Sequence, residues 1–201
     1  LGLYPEARHY FDRLAETEGE WDPAAVHLFR AQSSLALGRW EEARERCGDA
    51  LAAGARESNV LECLGIVSLA TSSPPPTETG RALAASTGRP EALLLAGQLL
   101  QLDHRHREAE ALLRTAADNL SGDQRKQALI NLGDARFAHG DLEGAREAWR
   151  WVGATGELYE VLQLRQKMVE MSEKGPRTWA GAVPELDLAS RARDRSGAEA
   201  A

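Results

Sequence analysis

Three histidines come closest to residues whose type and spacing could do chemistry. His104 and His106 stand two apart in "DHRHRE", and His139 sits in "FAHGD" further along. Imidazole is the commonest metal ligand, but a metal site needs three or four donors converging on one point. Both stretches read as turns between helices on one edge of the chain. Their neighbouring arginines and open setting predict solvated histidines, with no metal bound. Cys47 and Cys63 make no metal motif and read as reduced, partly buried thiols. No phosphate-cradling loop, dinucleotide fingerprint, HExxH or GxSxG elbow occurs. "EEARER" and "EGAREAWR" place Glu and Arg three or four apart, which predicts helix-surface pairs of about 0.2–0.5 kcal/mol each. The sequon "NLS" at Asn119 has meaning only in a secreted chain. The expectation is a protein that is not an enzyme, with no catalytic residue and no cofactor.

The elements that must carry these residues are helical. Apolar residues make up 43% of the 201, and Ala and Leu dominate them while aromatics reach only 5%. With Glu, Arg and Gln these are good helix formers, whereas Val, Ile and Thr are too thinly scattered to predict sheet. A net charge of −7 argues against a nucleic-acid surface, where a basic patch is required. The longest apolar run, "ALLLAGQLL" from Ala92, is far below the ~18 residues of a membrane span. The chain starts at "LGLYPEA" without Met, so a missing N-terminus is expected and targeting cannot be read. The compartment is therefore open, with the cytoplasm as the default.

Periodicity organises the chain further. Small residues recur at Ala31, Gly65, Gly97 and Gly133, and an alanine follows three of them by twelve residues, at Ala43, Ala109 and Ala145. Ala31 to Gly65 is 34 residues and Ala31 to Gly133 is 102, three times 34. A small residue midway along one helix lets a partner helix approach, and an alanine on the partner does the same from the other side. Gly38 or Gly140 between them stops the first helix in a left-handed conformation. Each helix pair leaves apolar faces uncovered, so neighbours must stack.

"LGDARFAHGDLEGAREAW" from Leu132 resembles the tetratricopeptide repeat, a 34-residue helix–turn–helix. Leu132 and Gly133 stand at the family's Leu-Gly, Gly140 at its turn, Ala145 at its small residue and Trp149 at its large aromatic. "ALGRWEEARERCGDAL" matches nearly as well, and the resemblance covers about residues 1 to 153. It implies an all-α solenoid of antiparallel helix–turn–helix repeats wound as a right-handed superhelix. The repeats are expected at about 24–57, 58–88, 90–122 and 126–153, after a half repeat at 1–19 in which Gly2, Ala7 and Phe11 hold the pattern. An amphipathic helix at 157–173 is expected to cap the solenoid. The tail, 174–201, is expected to be loosely ordered or to dock one short helix from Pro184, anchored by Trp179, Leu186 and Leu188.

One stretch departs from the pattern. "TSSPPPTETG", Thr71 to Gly80, replaces the tight turn of the second repeat. Three prolines end the preceding helix near Thr71 and leave a short, displaced helix of about Glu78 to Ser86. The loop is expected to be a tolerated surface insertion.

The resemblance also implies that first helices line a concave face that holds partner segments. Its lining here would be Leu28, Gln32 and Leu35, then Asn59, Glu62, Ile66 and Leu69. It continues with Glu91, Leu94, Gln98 and Gln101, then Gln127, Ile130, Asp134 and Phe137. Three acids and no Lys or Arg stand among them. Some relatives grip acidic peptide tails through basic residues, but the matching positions here are Leu28, Gln32, Cys63, Glu91 and Leu95. The expected partner is therefore a protein segment with apolar anchors and basic residues, held by an interaction scaffold. The alternative is a regulatory or sensor region of a larger protein whose effector domain lies upstream.

Overall fold

A computed structural model describes residues 9, 10, 12, 13, 21–153 and 157–174, with 157, 158 and 174 described by backbone alone. The expected half repeat at 1–19 falls largely outside these residues, and the tail beyond 174 lies outside them altogether. Nine helices are defined among the described residues, and no strand. In chain order they are α1 (Pro23–Ala36), α2 (Trp40–Ala52), α3 (Glu57–Thr71), α4 (Pro76–Ser86), α5 (Pro90–Leu102), α6 (His106–Asn119), α7 (Gly122–Ala138), α8 (Leu142–Arg150) and α9 (Glu157–Lys174). Each of α1 to α7 packs on the helix that follows it. Beyond these neighbours, α1 meets α3, α3 meets α5 and α5 meets α7. First helices thus touch first helices along the stack, the arrangement of an all-α helical repeat solenoid.

The small residues explain why the pairs close. Ala31, Ala43, Ala109 and Ala145 are fully buried, and Gly65, Gly97 and Gly133 are buried as well. A Cβ on Gly97 would come within 2.6 Å of Leu113 Cγ on α6, and one on Gly133 would strike the Trp149 indole on α8. The second pair differs. A Cβ on Gly65 would meet Leu95 and Leu99 of α5, the next first helix, at 3.0–3.3 Å, before any atom of its own partner α4. Gly80 on α4 also faces α5, where its Cβ would lie 3.1 Å from the Ala96 carbonyl.

One turn geometry repeats in all four pairs. Gly38, Ser72, His104 and Gly140 each stand seven residues after the small position, and their φ angles are +69°, +59°, +60° and +93°. A left-handed residue reverses the chain so that later amides reach back to the last helical carbonyls. Arg39 donates to the Ser34 carbonyl, Arg105 to Leu100 and Asp141 to Arg136, at 2.9, 2.8 and 2.9 Å. Glycine at this position is a sequence-legible stop signal. Ser72 and His104 adopt the same conformation without glycine's freedom.

After Ser72 the second turn runs two residues longer, and α4 opens on Pro76 rather than near Glu78. Ser68 Oγ, fully buried, donates to the Pro74 carbonyl, and Arg44 donates to Ser73 Oγ at 3.0 Å. Pro76 and Thr79 are themselves buried. The stretch expected as a tolerated surface insertion is therefore fastened at several points, through the Pro74 carbonyl and the Ser73 hydroxyl.

The expectation of reduced thiols is corrected. Cys47 on α2 and Cys63 on α3 form a disulfide with their Cα atoms 6.3 Å apart. Sixteen residues of separation span a helix reversal, which brings the two side chains together inside the core.

By compactness the chain divides between Val152 and Gly153. The second unit contributes α9, expected from sequence as a cap on the repeats. Its Leu162 and Val169, seven residues apart on one face, are 5% and 0% exposed, while Tyr159 and Leu164 stay exposed.

Candidate partner-binding face

The first helices α1, α3, α5 and α7 meet in succession, so the residues assigned to a concave lining belong to one run of neighbouring helices. The structure sorts them into three groups. Leu28 and Leu35 pack half-buried against the core cluster of Ala31, Cys47, Ala50, Val60 and Cys63. Leu94 and Ile130 are each only 9% exposed, so they serve as contacts between elements and not as open anchors. Phe137 is half-buried with its ring 6.1 Å from that of Trp149. The large aromatic of the second helix lies beside it, so this lining position is only partly open.

Polar lining residues are partly engaged. Gln101 Nε2 donates to the Asn131 carbonyl at 2.9 Å, linking α5 to α7. Glu62 is ion-paired with Arg89, just ahead of α5, so one of the three lining acids is neutralised by a base that sequence reasoning missed. Asn59, Gln98 and Asp134 are half-buried. The exposed members are Gln32, Glu91, Gln127, and the apolar pair Ile66 and Leu69, at 43% and 36%. Two further exposed apolar residues on first helices, Phe29 and Leu102, were missed. Each adjoins an assigned position, Leu28 or Gln101, and a helix face wider than the assigned lining includes them.

The histidines occupy a different edge. His104 and His106 stack edge-to-face at 5.7 Å, and His139 shares Glu110 with Arg136 and Arg114. Arg136 sits 3.0 Å from Glu110 and is only 13% exposed, so α6 and α7 are joined by a half-buried charge cluster. Among the described residues no three His, Cys, Asp or Glu side chains come together as a metal-ion site, and no helix is long and apolar enough to cross a membrane. Burial would raise the Glu110 carboxyl, but hydrogen bonds from Arg136, His139 and Arg114 outweigh it and hold the carboxyl below the ordinary glutamate range. Burial, with the charges of His104 and His139, lowers the affinity of His106 for a proton.

Comparison with known proteins returned no matching family model and no matching curated protein.

Proposed function

We propose that this chain is a tetratricopeptide-like interaction scaffold that holds a protein segment against its first helices. The reading is supported by the left-handed residue seven positions after each small residue, by the alanine twelve positions after three of the four, and by first-helix packing along the stack. The observation that carries it is the exposure of Ile66 and Leu69. These two apolar side chains lie three residues apart on α3, on the lining, while their counterparts Asp134 and Phe137 on α7 are half-covered. Exposed apolar residues in such a setting gain most from a partner that removes them from water. With Glu62 already paired to Arg89, an apolar anchor is a stronger requirement on that partner than a basic one.

The test places a benzophenone amino acid at Ile66, and separately at the exposed Glu45 on α2. Irradiation in cells of the source organism should give one discrete adduct from position 66 and none from position 45. Identical adducts from both positions, or none from 66, would remove the reading.

A further inference from the structure

The Cys47–Cys63 disulfide lies in a core built from small and β-branched side chains. Its surroundings are Ala31, Ala50 and Val60, with leucines only at the margins. No leucine of α1, α2 or α3 is buried, whereas Leu83, Leu99, Leu100 and Leu113 are almost wholly buried further along. The buried apolar side chains of these three helices are alanines, valines and the two cysteines, each of which removes less apolar surface from water than a leucine. A covalent bond between α2 and α3 compensates by limiting how far they can separate.

We propose that this disulfide is a redox lock on α1, α2 and α3, and that its reduction loosens these helices while α5 to α8 keep their packing. Cys47 and Cys63 are 0% and 6% exposed, so a reductant reaches them through a local opening of the α2–α3 junction. A dithiol thiolate then attacks Cys63 Sγ, the S–S bond breaks, and Cys47 leaves as a thiolate that takes up a proton. The second thiolate of the dithiol displaces Cys63, which is protonated in turn. Two electrons and two protons pass to the protein, and the dithiol becomes a cyclic disulfide. Without the cross-link across a separation of 16 residues, the open state of this segment gains roughly a hundredfold in population. Ile66 follows Cys63 by about one helical turn, so the lining on α3 would loosen with it. That last consequence alone rests on the partner-binding reading.

The full chain is equilibrated with oxidised glutathione, and its thiols are titrated in denaturant. Amide hydrogen exchange is then followed with and without dithiothreitol. The expected result is no titratable thiol in the oxidised protein. Reduction should then speed exchange at least tenfold within residues 23–71, with residues 90–150 unchanged. The Cys47→Ser/Cys63→Ser variant should exchange identically with and without dithiothreitol. Because serine at two buried sites can unfold the chain, wild-type protein in the two redox states carries the decision. Two free thiols after oxidation, equal exchange in both states, or acceleration spread evenly over the chain would overturn the proposal. No readout uses a partner, so any of these outcomes leaves the partner-binding reading standing.

Discussion

The indole of Trp149 lies across Gly133, with its Nε1 donating to the Ile130 carbonyl at 3.3 Å. This one relationship closes the fourth helix pair. Trp149 is 2% exposed, and any side chain at Gly133 would occupy the space of its ring. Gly133→Leu should therefore destabilise by at least ~1–3 kcal/mol through overpacking. Gly48 lies on the exposed side of α2, where an added methyl group would meet nothing within 4 Å. Gly48→Ala should therefore raise stability by up to ~1 kcal/mol through helix propensity. Urea unfolding of both variants measures the contrast. Similar midpoints would mean that α7 and α8 do not meet at Gly133.

The left-handed positions make a prediction of opposite sign. Ser72 and His104 hold φ near +60° without being glycine. An L side chain in that region costs roughly 1–2 kcal/mol, and glycine relieves it at a smaller cost in unfolded-state entropy. Ser72→Gly and His104→Gly should each stabilise by about 0.5–1 kcal/mol, while Gly140→Ala should destabilise by a similar amount. Thermal melts that rank the three in any other order would contradict the shared turn geometry.

The proline segment should not tolerate shortening. Deleting residues 73–75 removes the Pro74 carbonyl from buried Ser68 and shifts the start of α4 at buried Pro76. A buried hydroxyl left without a partner costs about 1–3 kcal/mol on its own. A clear fall in melting temperature is expected. An unchanged melt would restore the loop to the status of a surface insertion.

Acid should act in two windows. His106 binds a proton less readily in the folded protein, so stability is complete above the ordinary histidine range and declines as pH falls through about 6.5. Glu110 is held as a carboxylate by Arg136, His139 and Arg114, so its contribution is complete above the ordinary glutamate value of 4.5 and is lost as pH falls through its depressed value. Urea midpoints measured against pH should fall in two steps. His106→Gln should flatten the first step and Glu110→Gln the second. A variant that removes both steps, or neither, would separate the loss from these two groups.

By itself, the sequence determined the helical class and the beat of the stack. Ala31, Gly65, Gly97 and Gly133, the alanines twelve residues on, and the turn glycines Gly38 and Gly140 are legible because helix period and turn chemistry act along contiguous chain. The end of α3 at Thr71 was legible for the same reason, since proline forbids the next helical residue locally. Tertiary structure decided everything that joins residues without a fixed period. It paired Cys47 with Cys63, set Arg89 against Glu62, and drew Arg136 and His139 onto Glu110. It also turned Gly65 toward α5 instead of α4. It buried Leu94 and Ile130 and half-buried Phe137 while leaving Ile66 and Leu69 exposed, although all five were assigned to one lining. Spacing fixes which face of a helix a residue occupies, but the bulk of the side chains on the neighbouring helix fixes whether that face stays open. Trp149 is large enough to bring its ring within 6.1 Å of that of Phe137, whereas nothing of that size stands at the same sequence spacing in the second pair, where the residue is Arg81.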